Sequence, residues 1–109
     1  MDKEYKIIWQ DEAYANLLTI REAIEKVSCS IEIANRILGV IYERTEDLTN
    51  FPYRYPVYTD RPFLRRMVVN KDYSVYYQII EEPNPIVRVF NVMPNSADAH
   101  RHIEQTNQQ

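Results

Sequence analysis

Residues 63–93 read FLRRMVVNKDYSVYYQIIEEPNPIVRVFNVM. This stretch contains three short runs of β-branched and aromatic residues: 63–70, 73–80 and 85–93. The turn-forming residues between neighbouring runs are few, namely Lys71-Asp72 in one gap and Glu82-Pro83-Asn84 in the other. Gaps that short permit antiparallel hairpins and exclude helical crossovers. The sequence therefore predicts a three-stranded meander in the second half of the chain.

The first half has the periodicity of one strand followed by two helices. Residues 4–9 alternate loosely between polar and apolar side chains, which indicates a strand. Asp11 is the expected N-cap of the first helix, whose apolar stripe recurs at steps of three and four: Ala13, Leu17, Ile20, Ile24 and Val27. Ser30 can cap a second helix, whose stripe consists of Ile33, Ile37, Val40 or Ile41, and Leu48. Two amphipathic helices joined by a few residues are expected to pack as an antiparallel hairpin.

Gly39 is the only glycine in the sequence, and it falls inside the second predicted helix. Glycine costs about 1 kcal/mol relative to alanine at such a position. No turn or loop requires it there, so the expected reason is a close approach of the two helices.

The remaining segments complete the predicted topology. Residues 51–62 contain three prolines and three tyrosines and are expected to form an ordered, extended connection between the helices and the sheet. Ser96 or Asn95 can cap a short terminal helix, and residues 103–109 are expected to be a disordered tail. The order is thus β-α-α-β-β-β, with the helical hairpin packed on a mostly antiparallel sheet. This predicts a single two-layer α+β domain over residues 1–109.

Composition restricts the class of protein. Of the 109 residues, 45% are apolar, and a chain of this length can bury roughly two-thirds of its unfolded surface. No apolar run approaches the ~20 residues of a membrane span, and the N-terminus lacks the apolar segment of a secretory signal. Cys29 is the only cysteine, so an internal disulfide and a cysteine-rich metal site are excluded. We therefore expect a protein of the reducing cytoplasm that uses no metal or cofactor and does not associate with a membrane.

The net charge of −3 is unevenly distributed. Residues 1–50 carry six Lys or Arg against ten Asp or Glu, whereas residues 51–80 carry five against two. The strongly basic composition of a typical nucleic-acid-binding domain is absent. The locally positive middle third fits contact with phosphate groups, and it equally fits contact with an acidic protein partner.

A family resemblance rests on residues from both halves of the chain. In the first half these are Trp9, Ala13 and Leu17, then Ala34, Ile37 and Ile41, then Leu48, Phe51 and Pro52. In the second half they are Leu64, Arg65 and Met67-Val68-Val69, then Tyr73, Val75, Tyr76 and Tyr77, then Val87, Val89 and Val92. In this order and spacing, about residues 5–95 resemble the RelE/ParE superfamily of bacterial toxins. The resemblance implies a plasmid-stabilisation type of toxin from a type II toxin–antitoxin pair, which inhibits growth until a cognate antitoxin neutralises it.

The resemblance implies one of two activities. RelE-like members cleave messenger RNA in the ribosomal decoding site without a metal, and ParE-like members poison DNA gyrase. Metal-free RNA cleavage needs a base, an acid and cations that stabilise the charged transition state. Arg65 matches one expected cationic position, but Met67, Ser74 and Asn95 stand where the RelE-like site would have further cations or histidine. A ParE-like toxin is therefore favoured, with a RelE-type ribosome-dependent endoribonuclease as the alternative and a non-toxic, antitoxin-binding remnant as a second alternative.

Catalytic residues are not assigned by the sequence, and the weak candidates are Arg65, Arg66 and His100. Arg65 and Arg66 should point to opposite faces of the sheet, because side chains alternate along a strand. Arg65 is expected either to bind a phosphate or carboxylate of a ligand or to pair with an acid of the helices, such as Glu43 or Asp47. Arg66 is expected on a solvated face. His100 lies in a His-Arg-His tail whose two histidines would diverge by about 200° on a helix, which favours a solvated tail.

Binding residues are better supported than catalytic ones. The proline-rich connection and the second strand supply the expected contacts to the antitoxin or to the target, which is DNA gyrase or the ribosome with its mRNA: Arg54, Tyr55, Tyr58, Arg61 and Arg65. Tyr73, Tyr76 and Tyr77 lie within a predicted strand instead, where aromatic residues usually belong to the core or to cross-strand pairs.

Overall fold

A computed structural model describes residues 3–96 of the protein. The helices and strands follow the predicted order: β1 (Lys6–Trp9), α1 (Asp11–Ser28), α2 (Ile31–Glu46), β2 (Arg65–Val69), β3 (Tyr73–Ile80) and β4 (Ile86–Pro94). Two short 3-10 turns, Asp47–Thr49 and Pro52–Arg54, follow α2. The predicted terminal helix and the tail at 103–109 lie outside the described residues.

The sheet has the strand order β1-β4-β3-β2. The pairs β2–β3 and β3–β4 are antiparallel, which confirms the predicted meander. Strand β1 joins the edge of β4 in parallel, with Lys6 opposite Ile86 and Trp9 opposite Val89. The early strand therefore completes a sheet that is otherwise formed by the end of the chain. The predicted two-layer α+β architecture is confirmed.

The core lies between the helical hairpin and one face of the sheet. The helices contribute Ala13, Ile20, Ile24, Ala34 and Ile41, and the sheet contributes Met67, Val75, Tyr77, Val87 and Val89, all at most 2% exposed. The buried residues of α1 (Ala13, Ile20 and Ile24) and of α2 (Ala34, Ile41 and Thr45) lie seven and four positions apart, so each set occupies one face of its helix. Ile33, Ile37 and Val40 of the predicted α2 stripe are partly buried against this core. Within residues 3–96, neither helix combines the length and the hydropathy needed to cross a membrane.

The two helix starts differ in how they are capped. Ser30 is the N-cap of α2, and its side chain accepts a hydrogen bond from the backbone N–H of Ile33, as predicted. The expected N-cap role of Asp11 is wrong, because Gln10 holds that position and makes no side-chain cap bond. The N–H of Gln10 donates to Val89 O at 2.9 Å, so the last pairing of β1 sets the helix start one residue earlier. Asp11 lies in the first turn, where its charge still favours the helix dipole.

Two expectations about α2 are also wrong. A Cβ atom built on Gly39 would meet no other atom within 4 Å, so Gly39 does not serve the contact between the two helices. Leu48 is buried, but it lies in the 3-10 turn Asp47–Thr49, because α2 ends at Glu46. The buried end of the stripe thus continues past the helix in a tighter turn, which the apolar spacing could not distinguish from a longer helix.

Candidate partner-binding site

The segment after α2 presents arginine and tyrosine side chains beside the first residue of β2. Pro52 begins the 3-10 turn Pro52–Arg54, where its fixed φ is favourable and its missing N–H costs nothing. The hydroxyl of the buried Tyr77 donates to Pro52 O at 2.6 Å, which fixes this turn to β3. We call the resulting group the arginine–tyrosine surface: Arg44, Tyr53, Arg54, Tyr55 and Arg65.

Arg65 is held by the turn and not by an acid of the helices. Its Nη1 donates to Tyr55 O at 2.6 Å, and its guanidinium lies 4.9 Å from the centroid of the Tyr53 ring. The expected pairing with Glu43 or Asp47 is wrong, since neither carboxylate lies within 4.0 Å of a cationic side chain in the described part of the chain. Carbonyl bonds and a ring orient the guanidinium without neutralising its charge.

Two further arginines surround Tyr55. The guanidinium of Arg54 lies 5.9 Å from the centroid of the Tyr55 ring, and Arg44 Nη2 donates to the Tyr55 hydroxyl at 3.3 Å. Neither forms an ion pair with a carboxylate of residues 3–96. Three positive charges are thus grouped without acidic partners. A planar guanidinium with free N–H groups suits phosphate or carboxylate acceptors.

Glu81 fixes Tyr53 from the other side. This carboxylate accepts hydrogen bonds from Lys3 Nζ at 2.9 Å, from the Tyr5 hydroxyl at 2.8 Å and from the Tyr53 hydroxyl. Bonds to the charged form favour ionisation, so Tyr53 first, then Lys3 and Tyr5, lower the pKa of Glu81 to about 2. The Tyr53 ring is therefore held at its face by Arg65 and at its hydroxyl by Glu81.

A wide groove opens next to this carboxylate network. It encloses about 730 Å³ and is lined by Lys3, Tyr5, Asn50, Phe51, Pro52, Tyr53 and Arg54. Phe51 is 67% exposed, the largest exposed fraction among the large apolar side chains of residues 3–96. An exposed ring beside cationic groups is typical of a surface that a partner covers.

Replacing Glu81 by glutamine is expected to destabilise the protein in a pH-dependent way. The folded-state pKa lies below the ordinary value of 4.5, so the carboxylate stabilises the fold above pH 4.5 and loses this effect as the pH falls toward 2. Thermal unfolding of both proteins between pH 7 and pH 2 should show a lower Tm for Glu81→Gln at neutral pH. The two melting temperatures should converge at the acid end.

Glu82→Gln is the matched control, because Glu82 is the exposed neighbour of Glu81 and accepts none of these bonds. It should melt like the unsubstituted protein at every pH. A constant difference between Glu81→Gln and the parent down to pH 2 would show that the carboxylate charge does not stabilise this network.

The other two predicted binding residues lie elsewhere. Tyr58 is half-buried and packs edge-on against Tyr76 with ring centroids 4.9 Å apart, and the guanidinium of Arg61 lies 5.4 Å from the centroid of Phe63. Tyr76 points away from the helices, because it alternates with the core residue Tyr77. The structure therefore brings Arg54, Tyr55 and Arg65 together, and it places Tyr58 and Arg61 on the opposite side of the sheet.

Arg66 also lies on this opposite side, but it is not the solvated residue that was expected. It is half-buried, with Nε donating to Ser74 Oγ at 2.8 Å and Nη2 donating to Asn95 Oδ1 at 3.2 Å. Asn95 in turn donates to Lys71 O at 2.6 Å, and Ser74 is fully buried. Because Ser74 and Asn95 accept these bonds, the Arg66 guanidinium is directed to acceptors of the protein itself. His100, the third catalytic candidate, lies outside the described residues.

The contributions of Arg44 and Glu81 were missed by the sequence reasoning. In the helical pattern of α2, the position of Arg44 cannot be distinguished from the solvent-exposed positions of that helix. The hydroxyl donors to Glu81 are 76 and 28 positions away along the chain. No local pattern carries such a contact. Among the described residues, no group of three or more His, Cys, Asp or Glu side chains is arranged to hold a metal ion.

Both the sequence and the fold of the chain are similar to those of known proteins. The family model for the ParE toxin of the type II toxin–antitoxin system parDE matches residues 7–99. Nine chains of solved structures are similar, among them one from a chromosomal ParDE TA system of P. aeruginosa. That chain is 15% identical, the match covers 85% of this chain and 98% of that one, and the TM-score is 0.72, a likeness of fold. No curated protein matches the sequence.

Proposed function

The chain belongs to the ParE toxin family of type II toxin–antitoxin systems, and from this we propose that it stops growth by acting on DNA gyrase. Membership of the family implies a cognate antitoxin as partner. The arginine–tyrosine surface is the part of the toxin that contacts the target. Gyrase is the target that the ParE resemblance implies, and family membership is the observation that carries this proposal.

The network around Arg66 supports a toxin that is not a nuclease. RelE-type cleavage would need cations at positions 74 and 95, and these hold a buried serine and an asparagine. Both side chains bond to Arg66, so that its Nε and one Nη2 hydrogen are already directed to protein acceptors. A guanidinium used in this way is less available to stabilise a phosphorane.

The arginine–tyrosine surface supports contact with an acidic target. Arg44, Arg54 and Arg65 have no carboxylate partner within residues 3–96, and Tyr53 and Tyr55 orient them. Arginine and tyrosine are the residues that most often dominate binding energy at protein interfaces. A carboxylate of gyrase or a phosphate of its bound DNA would each supply the missing acceptor.

Inducing the toxin alone in a bacterial host tests the proposal. We expect growth arrest with an SOS-type DNA-damage response, and we expect the purified protein to inhibit supercoiling by gyrase. Arrest with messenger-RNA cleavage at ribosomes, and without the damage response, would favour the nuclease instead. Normal growth with undiminished expression would indicate the non-toxic remnant.

A further inference from the structure

The segment between α2 and β2 exposes an aromatic ring although the backbone on both sides of it is fixed. Thr49 Oγ1 donates to Tyr5 O at 2.6 Å, and Tyr5 N donates to Thr49 O at 2.9 Å. On the other side, the buried Pro52 accepts the hydrogen bond of the Tyr77 hydroxyl at its carbonyl. Phe51 lies between these two anchors with 67% of its surface exposed. The anchors therefore hold an apolar ring at one place on the surface.

Two hollows meet at Phe51. The larger is the groove beside the Glu81 network, which encloses about 730 Å³, and the smaller encloses about 290 Å³. Asn50, Phe51 and Arg54 line both hollows, so the two form one continuous depression. We call this depression the Phe51 groove.

The larger hollow suits an apolar side chain. Most of its wall consists of rings, which belong to Tyr5, Phe51, Pro52 and Tyr53. Its volume is ample for one aromatic or branched side chain together with the backbone that carries it. Burying such a side chain is worth about 1.5–3 kcal/mol, so this hollow can contribute much of the affinity for a short segment.

The smaller hollow suits a carboxylate. Arg44 and Arg54 line it, and neither forms an ion pair with a carboxylate of residues 3–96. Asp47 is the one acid among its lining residues, so the arginines leave an excess of positive charge. An incoming carboxylate can accept hydrogen bonds from both guanidinium groups.

We propose that the Phe51 groove binds an extended, acidic segment of the gyrase target that carries one large apolar residue. The apolar side chain fills the larger hollow beside Phe51, and a neighbouring carboxylate enters the smaller hollow between Arg44 and Arg54. Asn50 is exposed and lines both hollows, so its side-chain amide can pair with the backbone of the segment. The inference rests on the proposed function, because it specifies the part of gyrase that the toxin recognises.

Continuity and charge favour this occupant over others. Arg54 belongs both to the Phe51 groove and to the arginine–tyrosine surface, so one partner can cover both. A single-stranded nucleic acid is a poorer occupant, because Asp47 and the exposed Glu43 one helical turn before it would repel a continuous row of phosphates. A second copy of the chain would bring the arginines of two grooves together, and like charges across an interface are unfavourable.

A labelled peptide tests the groove directly. The probe is Gly-Asp-Glu-Phe-Glu-Asp-Gly with fluorescein at its N-terminus, and the reference probe has serine in place of phenylalanine. Fluorescence anisotropy with the purified full-length chain at low salt should give a Kd below about 1 mM for the phenylalanine peptide. The serine peptide should bind about tenfold more weakly. Phe51→Ala and Arg54→Glu should each raise the Kd of the phenylalanine peptide about tenfold.

Two matched controls separate the groove from general effects. Phe63→Ala removes another exposed phenylalanine, which is 48% exposed and packs against Phe90 on the opposite side of the sheet. Arg36→Glu makes the same charge change as Arg54→Glu at an exposed position of α2 that lines neither hollow. Both controls should bind the phenylalanine peptide like the parent protein. Phe51→Ala and Arg54→Glu should keep the parent Tm, because both positions are exposed.

The supercoiling assay tests whether gyrase supplies the segment. Phe51→Ala should raise the concentration needed for half-inhibition about tenfold, and Phe63→Ala should leave it unchanged. Normal inhibition by Phe51→Ala would overturn the inference. Loss of the product of the adjacent reading frame by that same variant would then identify the antitoxin as the occupant.

The peptide measurements can overturn the inference as well. They do so if the phenylalanine peptide fails to bind at about 1 mM, if both peptides bind equally, or if Phe51→Ala leaves the Kd unchanged. Displacement of the probe by a thymidine oligonucleotide at a lower concentration than by the unlabelled peptide would assign the groove to nucleic acid instead. Failure of the proposed function looks different, because the unsubstituted protein would then leave supercoiling unaffected while the peptide still distinguishes Phe51→Ala from Phe63→Ala.

Discussion

Replacing Tyr77 by alanine is expected to lower the free energy of unfolding by about 3–5 kcal/mol, the usual cost of removing a large buried ring. Tyr77 is fully buried among the residues that join the sheet to the helices, and its hydroxyl donates to Pro52 O at 2.6 Å. The substitution would leave a cavity and an unpaired buried carbonyl at once. Thermal unfolding should show Tm lowered by about 15 °C or more.

Tyr77→Phe separates the two contributions. It keeps the ring in the core and removes only the bond that fixes the turn Pro52–Arg54, so the loss should be about 1–3 kcal/mol. Burial raises the pKa of the Tyr77 hydroxyl, which therefore stays protonated and able to donate at neutral pH. Equal stability of Tyr77→Phe and the parent protein would mean that the bond does not hold the turn.

Replacing Arg65 by alanine is expected to abolish most of the inhibition of gyrase while leaving the fold intact. The guanidinium bonds Tyr55 O, lies over the Tyr53 ring and has no carboxylate partner in residues 3–96, so its charge is available to a target. Loss of an arginine that dominates an interface costs about 2 kcal/mol or more, roughly a 30-fold rise in the concentration needed for half-inhibition. The supercoiling assay measures this concentration directly.

Two controls accompany this substitution. Arg65→Lys keeps the charge but loses the planar group, so it should recover only part of the activity. Arg21→Ala removes one positive charge from a surface pair on α1 and should inhibit gyrase normally. Full activity of Arg65→Ala with an unchanged Tm would exclude the arginine–tyrosine surface as the contact to gyrase.

Local patterns predicted the elements well, because each pattern reports how neighbouring residues divide between core and solvent. The run around Val89 alternates between a buried and a less buried face, whereas Tyr73, Ser74 and Val75 are all buried. The gaps between the runs are too short for anything other than hairpins. Ser30 could be recognised as a cap from the helix that it precedes. Asp11 failed as a cap because a sheet bond of Gln10, which depends on the distant Val89, decided where α1 begins.

The candidate site was predicted only in part. The sequence singled out Arg54, Tyr55 and Arg65 from their charge and their proline-rich surroundings, and the structure groups them. The sequence could not show that Tyr58 and Arg61 lie on the other side of the sheet. A proline-rich segment lacks the periodicity of a helix or strand, so its sequence does not indicate which way its side chains point.

By itself, the sequence determined the element order, the apolar faces and the family, because these depend on residue type at short spacings. Tertiary structure alone decided the parallel pairing of β1 with β4, the anchoring of Tyr53 by Glu81 and the open space beside Gly39. The physical reason is distance along the chain: Tyr5 and Glu81 are 76 residues apart, and only a completed sheet brings them within a hydrogen bond. Contacts between residues so far apart along the chain produce no periodic pattern in the sequence.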